Sequence, residues 1–322
     1  MGTRVGLIEA LGVTPLSKAW TEAGLAVRGD GLTPKSRFGL SSLKQFQPQF
    51  SVPLWLGRKP RGRLVPITNL YNYLQPPPEQ GWSVRVTRVR DFRGGKNTYD
   101  SHNGTDLAIP PGTRVIAAAP GRVLRVSSEY HRGGRKVLLD HGRGLVTTYN
   151  HLARPLVSVG DDVLRGQVIA LSGYSGLDAL VGFPWTPPHV HMNVWLNGRY
   201  IDPFAEPGAP HRGSWIVLND PKPHRVGAPG EAYEATTWRK DAYEHALAAC
   251  LHEGAKREVA SHPTEHARMG ALMMQLNYFP TRFDRRALGT DFSLYDREYP
   301  QEARLDLPFS SDDYDGVVFP DR

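Results

Sequence analysis

From residue 106 onward, short β-type runs of largely apolar residues recur, each bounded by glycine, proline or aspartate. The runs are 106–109, 114–118, 121–127, 136–140, 145–149, 167–171 and 189–196, and an earlier one spans 82–89. Short runs of this kind between turn residues predict strands. So many in succession, without helical patterns between them, predict a mainly antiparallel sheet. Beyond Pro207 the pattern changes. Tyr243, Ala246, Leu247, Cys250 and Leu251 share one helical stripe, and 267–276 makes a second apolar helical segment ended by 277–280.

Before residue 75, Gly29-Asp30-Gly31 and Pro48, Pro53, Pro60 and Pro66 break the chain into short irregular elements, and Pro76-Pro77-Pro78 forms a stiff boundary. The expected organisation is α+β overall: an irregular N-terminal region over 1–78, a central antiparallel β domain over 79–206, and a helical C-terminal region over 207–322. The acidic tail 310–322 lacks a helical period and is expected to be loosely ordered.

The 322 residues suffice for two or three domains, and no apolar run is long enough to cross a bilayer. With 39 Lys and Arg against 32 Asp and Glu, the net charge of +7 favours anionic partners. The arginines, such as Arg85, Arg88, Arg122 and Arg132, are scattered and accompany no nucleic-acid-binding signature, so no nucleic-acid partner is expected. Cys250 is the only cysteine, which excludes an intrachain disulfide, and its alanine-rich setting assigns it to helix packing. The apolar stretch within 1–16 is broken by Glu9, and no signal peptide is visible.

His189-Val190-His191 lies inside a predicted strand, so both imidazoles project from one face. His102 and Asp106 form an H-x-x-x-D pair entering another strand, and His151 follows the run 145–149. Zinc takes imidazole nitrogen and carboxylate oxygen, and its catalytic sites characteristically use three protein ligands and leave one position to water. Each pair alone is commonplace: a His-x-His on a strand is usually a polar surface pair.

Taken in order, the motifs are more specific. His102-Asn103-Gly104-Thr105-Asp106, Pro111-Gly112-Thr113, Asp140-His141-Gly142, Tyr149-Asn150-His151, Gly166-Gln167-Val168 and Pro188-His189-Val190-His191 resemble the catalytic domain of the lysostaphin/LytM-type zinc endopeptidases over about 82–204. The resemblance implies a groove across the sheet with one zinc ion on its floor. His102, Asp106 and His191 would be the metal ligands, and His151 and His189 the catalytic histidines beside them. It further implies hydrolysis of amides in peptidoglycan cross-links or stem peptides, and a place in the cell envelope. The two alternatives are a non-catalytic relative that binds wall or activates an amidase, and a peptidase acting on non-wall peptides. All five polar positions being present argues against the first. The flanks are candidates for binding cell wall, a secretion system or an inhibitor.

The chain departs from the family pattern at two places. Met192 and Asn193 stand where an aromatic residue and a glutamate are usual, and 176–188, with Phe183, Pro184 and Trp185, is long enough either to wall the groove or to pack against another part of the chain. His141 reads as structural. His262-Pro263-Thr264-Glu265-His266 satisfies an H-x-x-E-H metal pattern, but Pro263 suits a first helical turn and would take His262 out of the helix. His245 and His252 read as solvent-facing helix residues.

Overall fold

The computed structural model describes residues 5–224 and 231–320; the first four residues of the N-terminal stretch and the last two of the acidic tail lie outside them. The helices are α1 (Leu7–Leu11), α2 (Leu16–Arg28), α3 (Pro48–Trp55), α4 (Leu177–Gly182), α5 (Ala242–Ala249), α6 (Glu253–Ala260), α7 (Glu265–Tyr278) and α8 (Arg285–Leu288). The strands are β1 (Leu64–Asn69), β2 (Thr105–Ala108), β3 (Arg114–Ile116), β4 (Gly121–Glu129), β5 (Gly134–Asp140), β6 (Leu145–Pro155), β7 (Asp162–Val163), β8 (Val168–Ser172), β9 (His189–Leu196), β10 (Arg199–Ile201), β11 (Pro223–His224), β12 (Leu307–Ser310) and β13 (Gly316–Val318).

The protein is mixed α/β, built on a large, mainly antiparallel sheet ordered β13-β1-β2-β9-β6-β5-β4-β7. β10 extends from β9, and β3 joins through β8 to β6. Seven of the expected strands form, six within a few residues of their sequence bounds; β6 runs six residues past its expected end, so His151 lies inside it. The alternation in β9 explains how the sheet carries two cores. Val190, Met192 and Val194 face one way, into a core with Leu107, Val137, Leu139 and Tyr149. Trp195 faces the other way, beside Leu124, Leu138 and Val146, where Ala246, Cys250, Met273 and Tyr295 cover it. His189, His191 and Asn193 share the face of Trp195 because they share its parity.

The structure corrects several expectations. Residues 82–89 form no strand apart from a bridge of Ser83 to Arg37. The Asp100 carboxylate accepts instead from the amides of Thr87 (2.8 Å) and Arg88 (3.1 Å) and from the hydroxyls of Ser83 and Thr87, which satisfies this segment without a neighbouring strand. The acidic tail is docked: Tyr314 is fully buried, and β13 pairs in parallel with β1. The helical stripe ends early, because α5 stops at Ala249; Cys250 turns into an extended bridge with Phe283 and stays buried, whereas Leu251 is exposed. Pro263 precedes α7 rather than opening it, since Thr264 is the cap and its hydroxyl accepts from Ala267 N. His252 likewise caps α6.

Asp202, just after β10, is buried, and its Oδ1 accepts from Phe204 N at 3.0 Å. Burial, only partly offset by hydrogen bonds from Phe204 and Tyr73, raises its carboxyl to about 7. A folded-state value above the unfolded one means that the fold keeps a proton the unfolded chain has released. Stability contributed here is therefore complete below about pH 4 and lost as pH rises to 7. Asp202→Asn removes that loss, so thermal melts are expected to show it more stable than the parent by about 2–4 kcal/mol at pH 8 and near parity at pH 4.

Candidate metal centre

Antiparallel register places the site. In the β2–β9 pair Asp106 lies opposite His191 and Ala108 opposite His189, while β6 sets Asn150 beside His191. His102 stands on the turn before β2, its amide bonded to Tyr99 O. Gly104 lets this turn press onto β9: a Cβ there would stand 2.5 Å from Met192 O and 2.8 Å from His191 Nε2.

Three ligand atoms converge. His102 Nε2 is 3.0 Å from Asp106 Oδ1, His191 Nδ1 is 2.7 Å from the same oxygen, and the two nitrogens are 3.1 Å apart. All three residues are buried, and they are the metal-ready cluster among the described residues. His102 Nδ1 donates to Leu70 O (2.6 Å), which turns the lone pair of its Nε2 toward the cluster, and His191 Nε2 lies between Asn193 Nδ2 (2.8 Å) and Asn103 Oδ1 (3.2 Å). Two imidazole nitrogens and a carboxylate oxygen aimed at one point suit a cation, and edges near 3 Å are close to the roughly 3.3 Å of a tetrahedron with bonds of about 2.0–2.1 Å. This donor set fits zinc.

His151 and His189 flank the cluster, their rings 4.8 Å apart. Each donates Nδ1–H to a carbonyl, Ser175 O at 2.7 Å and Pro187 O at 2.8 Å, which leaves Nε2 as an acceptor; that of His189 is 3.4 Å from Asp106 Oδ1. His151 takes φ +60°, a left-handed conformation that costs a non-glycine residue about 1–2 kcal/mol. Burial raises the Asp106 carboxyl, but its close pairing with His102, His189 and His191 outweighs that and holds Asp106 well below its ordinary value. Burial lowers His191 to about 4 against the pull of Asp106, and burial together with the neighbouring His189 and His191 keeps His151 neutral.

Asn69 and Tyr278, which sequence reasoning passed over, join Asn193 around the cluster. Asn69, at the end of β1, donates Nδ2 to Asp106 Oδ2 at 2.7 Å. Asn193 donates to Asn103 O and Oδ1, both at 2.9 Å, while its Oδ1 accepts from Thr148 (2.8 Å) and Asn150 (3.0 Å). The hydroxyl of Tyr278, the last residue of α7, lies 2.9 Å from both Asn150 Oδ1 and Asn193 Oδ1. Met192, the other unusual residue, points into the first core. Tyr278→Phe is expected to cost about 1–2 kcal/mol in thermal melts. Acting only through Asn193 and Asn103, it is expected to weaken zinc binding by no more than about 10-fold in chelator competition.

A cavity of about 230 Å³ opens over Asp106, His151 and His189. Phe38, Leu43, Phe46, Tyr99, Tyr174 and Val181 make its walls largely apolar. The segment 176–188 does both things open to it in the sequence. Val181, Gly182, Thr186 and Pro187 line the cavity, while Phe183 packs edge-on to Trp55 (4.9 Å) and Thr186 O accepts from Ser51 Oγ (2.9 Å). His141 is buried between Pro120 O (2.9 Å) and Thr147 Oγ1 (2.7 Å), in a structural setting. His262 pairs with Glu258 at 3.0 Å and belongs to no metal-ready cluster among the described residues.

The chain thus sets a His/Asp/His cluster that could hold one metal ion at the floor of a cleft in an antiparallel sheet. Residues 100–203 match the profile of Peptidase family M23, and through this segment the chain belongs to that family. The chain is 38% identical over 101 residues to the peptidoglycan DD-endopeptidase ShyA of Vibrio cholerae, covering 31% of this chain and 22% of that protein. It is 33% identical over 109 residues to the DD-carboxypeptidase/endopeptidase Mpg of Neisseria meningitidis, covering 34% and 23%. Among solved structures, the catalytic domain of the prophage-encoded M23 protein EnpA from Enterococcus faecalis is 32% identical, covering 32% of this chain and 76% of that one, with a TM-score of 0.29. The catalytic domain of lysostaphin from Staphylococcus simulans is 30% identical, covering 32% and 77%, with a TM-score of 0.28. The chain spans only 20 to 25% of the length of the first three curated relatives. No helix among the described residues is long and apolar enough to cross a membrane.

Proposed function

We propose that this chain is a zinc-dependent endopeptidase that hydrolyses peptide amides of peptidoglycan, with His102, Asp106 and His191 as metal ligands and His151 and His189 as the proton-handling pair. The observation that carries this reading is the convergence of three ligand atoms on one point, with two further imidazoles held alongside as acceptors. When bound, zinc supplies Lewis-acid activation of water and of the scissile carbonyl. Nε2 of His151 or His189 takes the proton from the attacking water and passes it to the departing amine. The carbonyls of Ser175 and Pro187 keep both rings in the tautomer this requires. The apolar walls exclude bulk water and hold an extended peptide against the β9 end of the sheet. The names of the relatives favour wall peptides over other peptides as substrate.

The test is digestion of purified sacculi of diaminopimelate and glycine-bridged types, with mass spectrometry of the released fragments. Chelator-sensitive release of new amine termini is the expected result. Zinc-loaded protein that releases nothing from either wall would end the wall-hydrolase reading.

A further inference from the structure

The cavity over the metal cluster is not built by the family segment alone. Phe38, Leu43, Gln45, Phe46 and Gln47, all well outside residues 100–203, line it together with Asp106, His151 and His189. They belong to a strap tied at both ends. At its start Arg37 N donates to Trp82 O (2.7 Å), Arg37 O accepts from Val84 N (3.2 Å) and Ser41 Oγ accepts from Val86 N (3.1 Å). A 3-10 turn follows over Leu40–Gln45. At its end Gln47 N donates to Trp185 O (2.9 Å) and Ser51 Oγ to Thr186 O (2.9 Å). Val84 and Thr186 line the cavity as well, so the strap joins two of its walls. The second anchor is next to Pro187, whose carbonyl sets the ring of His189.

Two side chains of the strap are chemically out of place. Nε2 of Gln45 and Nε2 of Gln47 are buried and have no hydrogen-bond partner among the described residues. Gln47 as a whole is only 6% exposed. It stands at the N-cap of α3, where Ser, Thr, Asp or Asn would accept from the helix amides, yet its side chain makes no such bond. A buried donor left unpaired destabilises a fold, so folding alone gives no use for a carboxamide at this position. Its neighbours in the cavity wall, Phe38, Leu43 and Phe46, are apolar, and none of the described residues lining the cavity is a lysine or arginine. A neutral donor in such a setting suits a neutral acceptor, an amide carbonyl, better than a carboxylate, which would be buried there without a countercharge from the strap.

We infer that Gln47, with Gln45 beside it, donates its side-chain amide to main-chain carbonyls of the substrate peptide and so sets the register in which that peptide lies across the metal cluster. Carbonyls recur along any peptide, so these bonds fix position and not side-chain identity. The strap's tie to Trp185 and Thr186 relates that position to His189, two to four residues further along the chain. The N-terminal region thereby becomes part of the substrate site. The inference rests on the peptidase reading and adds to it a substrate-binding residue from outside the family segment.

The experiment uses the full, zinc-loaded chain with soluble cross-linked muropeptide dimers of the diaminopimelate and glycine-bridged types. Gln47→Met keeps the length of the side chain and removes its donor. It is expected to raise KM on the better dimer by about 5- to 30-fold with kcat within about 2-fold, as when binding is lost equally from ground and transition states. The same variant is expected to melt at or above the parent temperature, because it no longer buries an unpaired donor. Calorimetry on metal-free protein gives a reading independent of turnover, with synthetic copies of that dimer in which one main-chain carbonyl at a time is replaced by a methylene. One replacement is expected to weaken binding to the parent by a similar factor and to cost Gln47→Met nothing further. A parental KM, or a loss that no single carbonyl shares with Gln47, would overturn the inference and leave the peptidase reading standing. Zinc-loaded parent protein that cleaves neither dimer would overturn both.

Discussion

His191→Ala is expected to remove zinc uptake and to lower sacculus hydrolysis by at least about 10³-fold, since losing the metal forfeits several kcal/mol of transition-state stabilisation. The substitution takes away one of three ligand atoms packed within 2.7–3.1 Å of one another and leaves the Asp106 carboxylate beside a void. Metal analysis of the purified variant and fragment release measured side by side decide the matter. A variant that lost activity but kept a full equivalent of zinc would move His191 out of the ligand set. The fold is expected to survive, because Val190, Met192 and Val194 still anchor β9 from the other face.

Trp195→Ala attacks the opposite end of the same strand. Trp195 is fully buried, edge-on to Tyr200 at 5.5 Å and to Tyr278 at 6.0 Å, in the core between sheet and C-terminal helices. Truncating such a side chain costs about 3–5 kcal/mol, or roughly 4–8 °C in melting temperature for a chain of this size. Tyr278 loses its packing partner, so zinc affinity is expected to fall along with stability. A melting temperature within about 2 °C of the parent would show that the helical layer contributes little to holding the sheet.

The ligand strand was the most legible part of the sequence. The bounds of β9 follow from its alternation alone, and strand parity put His189 and His191 on one face before any partner was known. The structure then brings His102, Asp106, His151, His189 and His191 together, which spacing along the chain does not dictate; only the ordered family motifs pointed to it. What escaped notice depends on partners distant in sequence. Pro66 argues against a strand at 64–69, yet β2 pairs with β1 only from Ile67 onward, so the missing amide is not needed there. Asn69 went unseen with that strand. The run 82–89 alternates well, but Asp100 takes up the amides of Thr87 and Arg88 in place of a neighbouring strand. Tyr278 reads as the end of an apolar helix, and nothing local marks its hydroxyl as a partner of Asn150 and Asn193.

The parallel seam of β1 with β13 closes the sheet on the side next to the metal ligands, for β1 is also the neighbour of β2. Cut from the chain at residue 79, the family segment would present β2 as a bare edge, with amides and carbonyls open to any passing strand. The same cut removes the Leu70 carbonyl that sets the ring of His102 and the Asn69 amide that steadies Asp106. A fragment meant to retain the centre must therefore begin at or before Leu64. To shield the outer edge of β1 as well, it must run on to Val318.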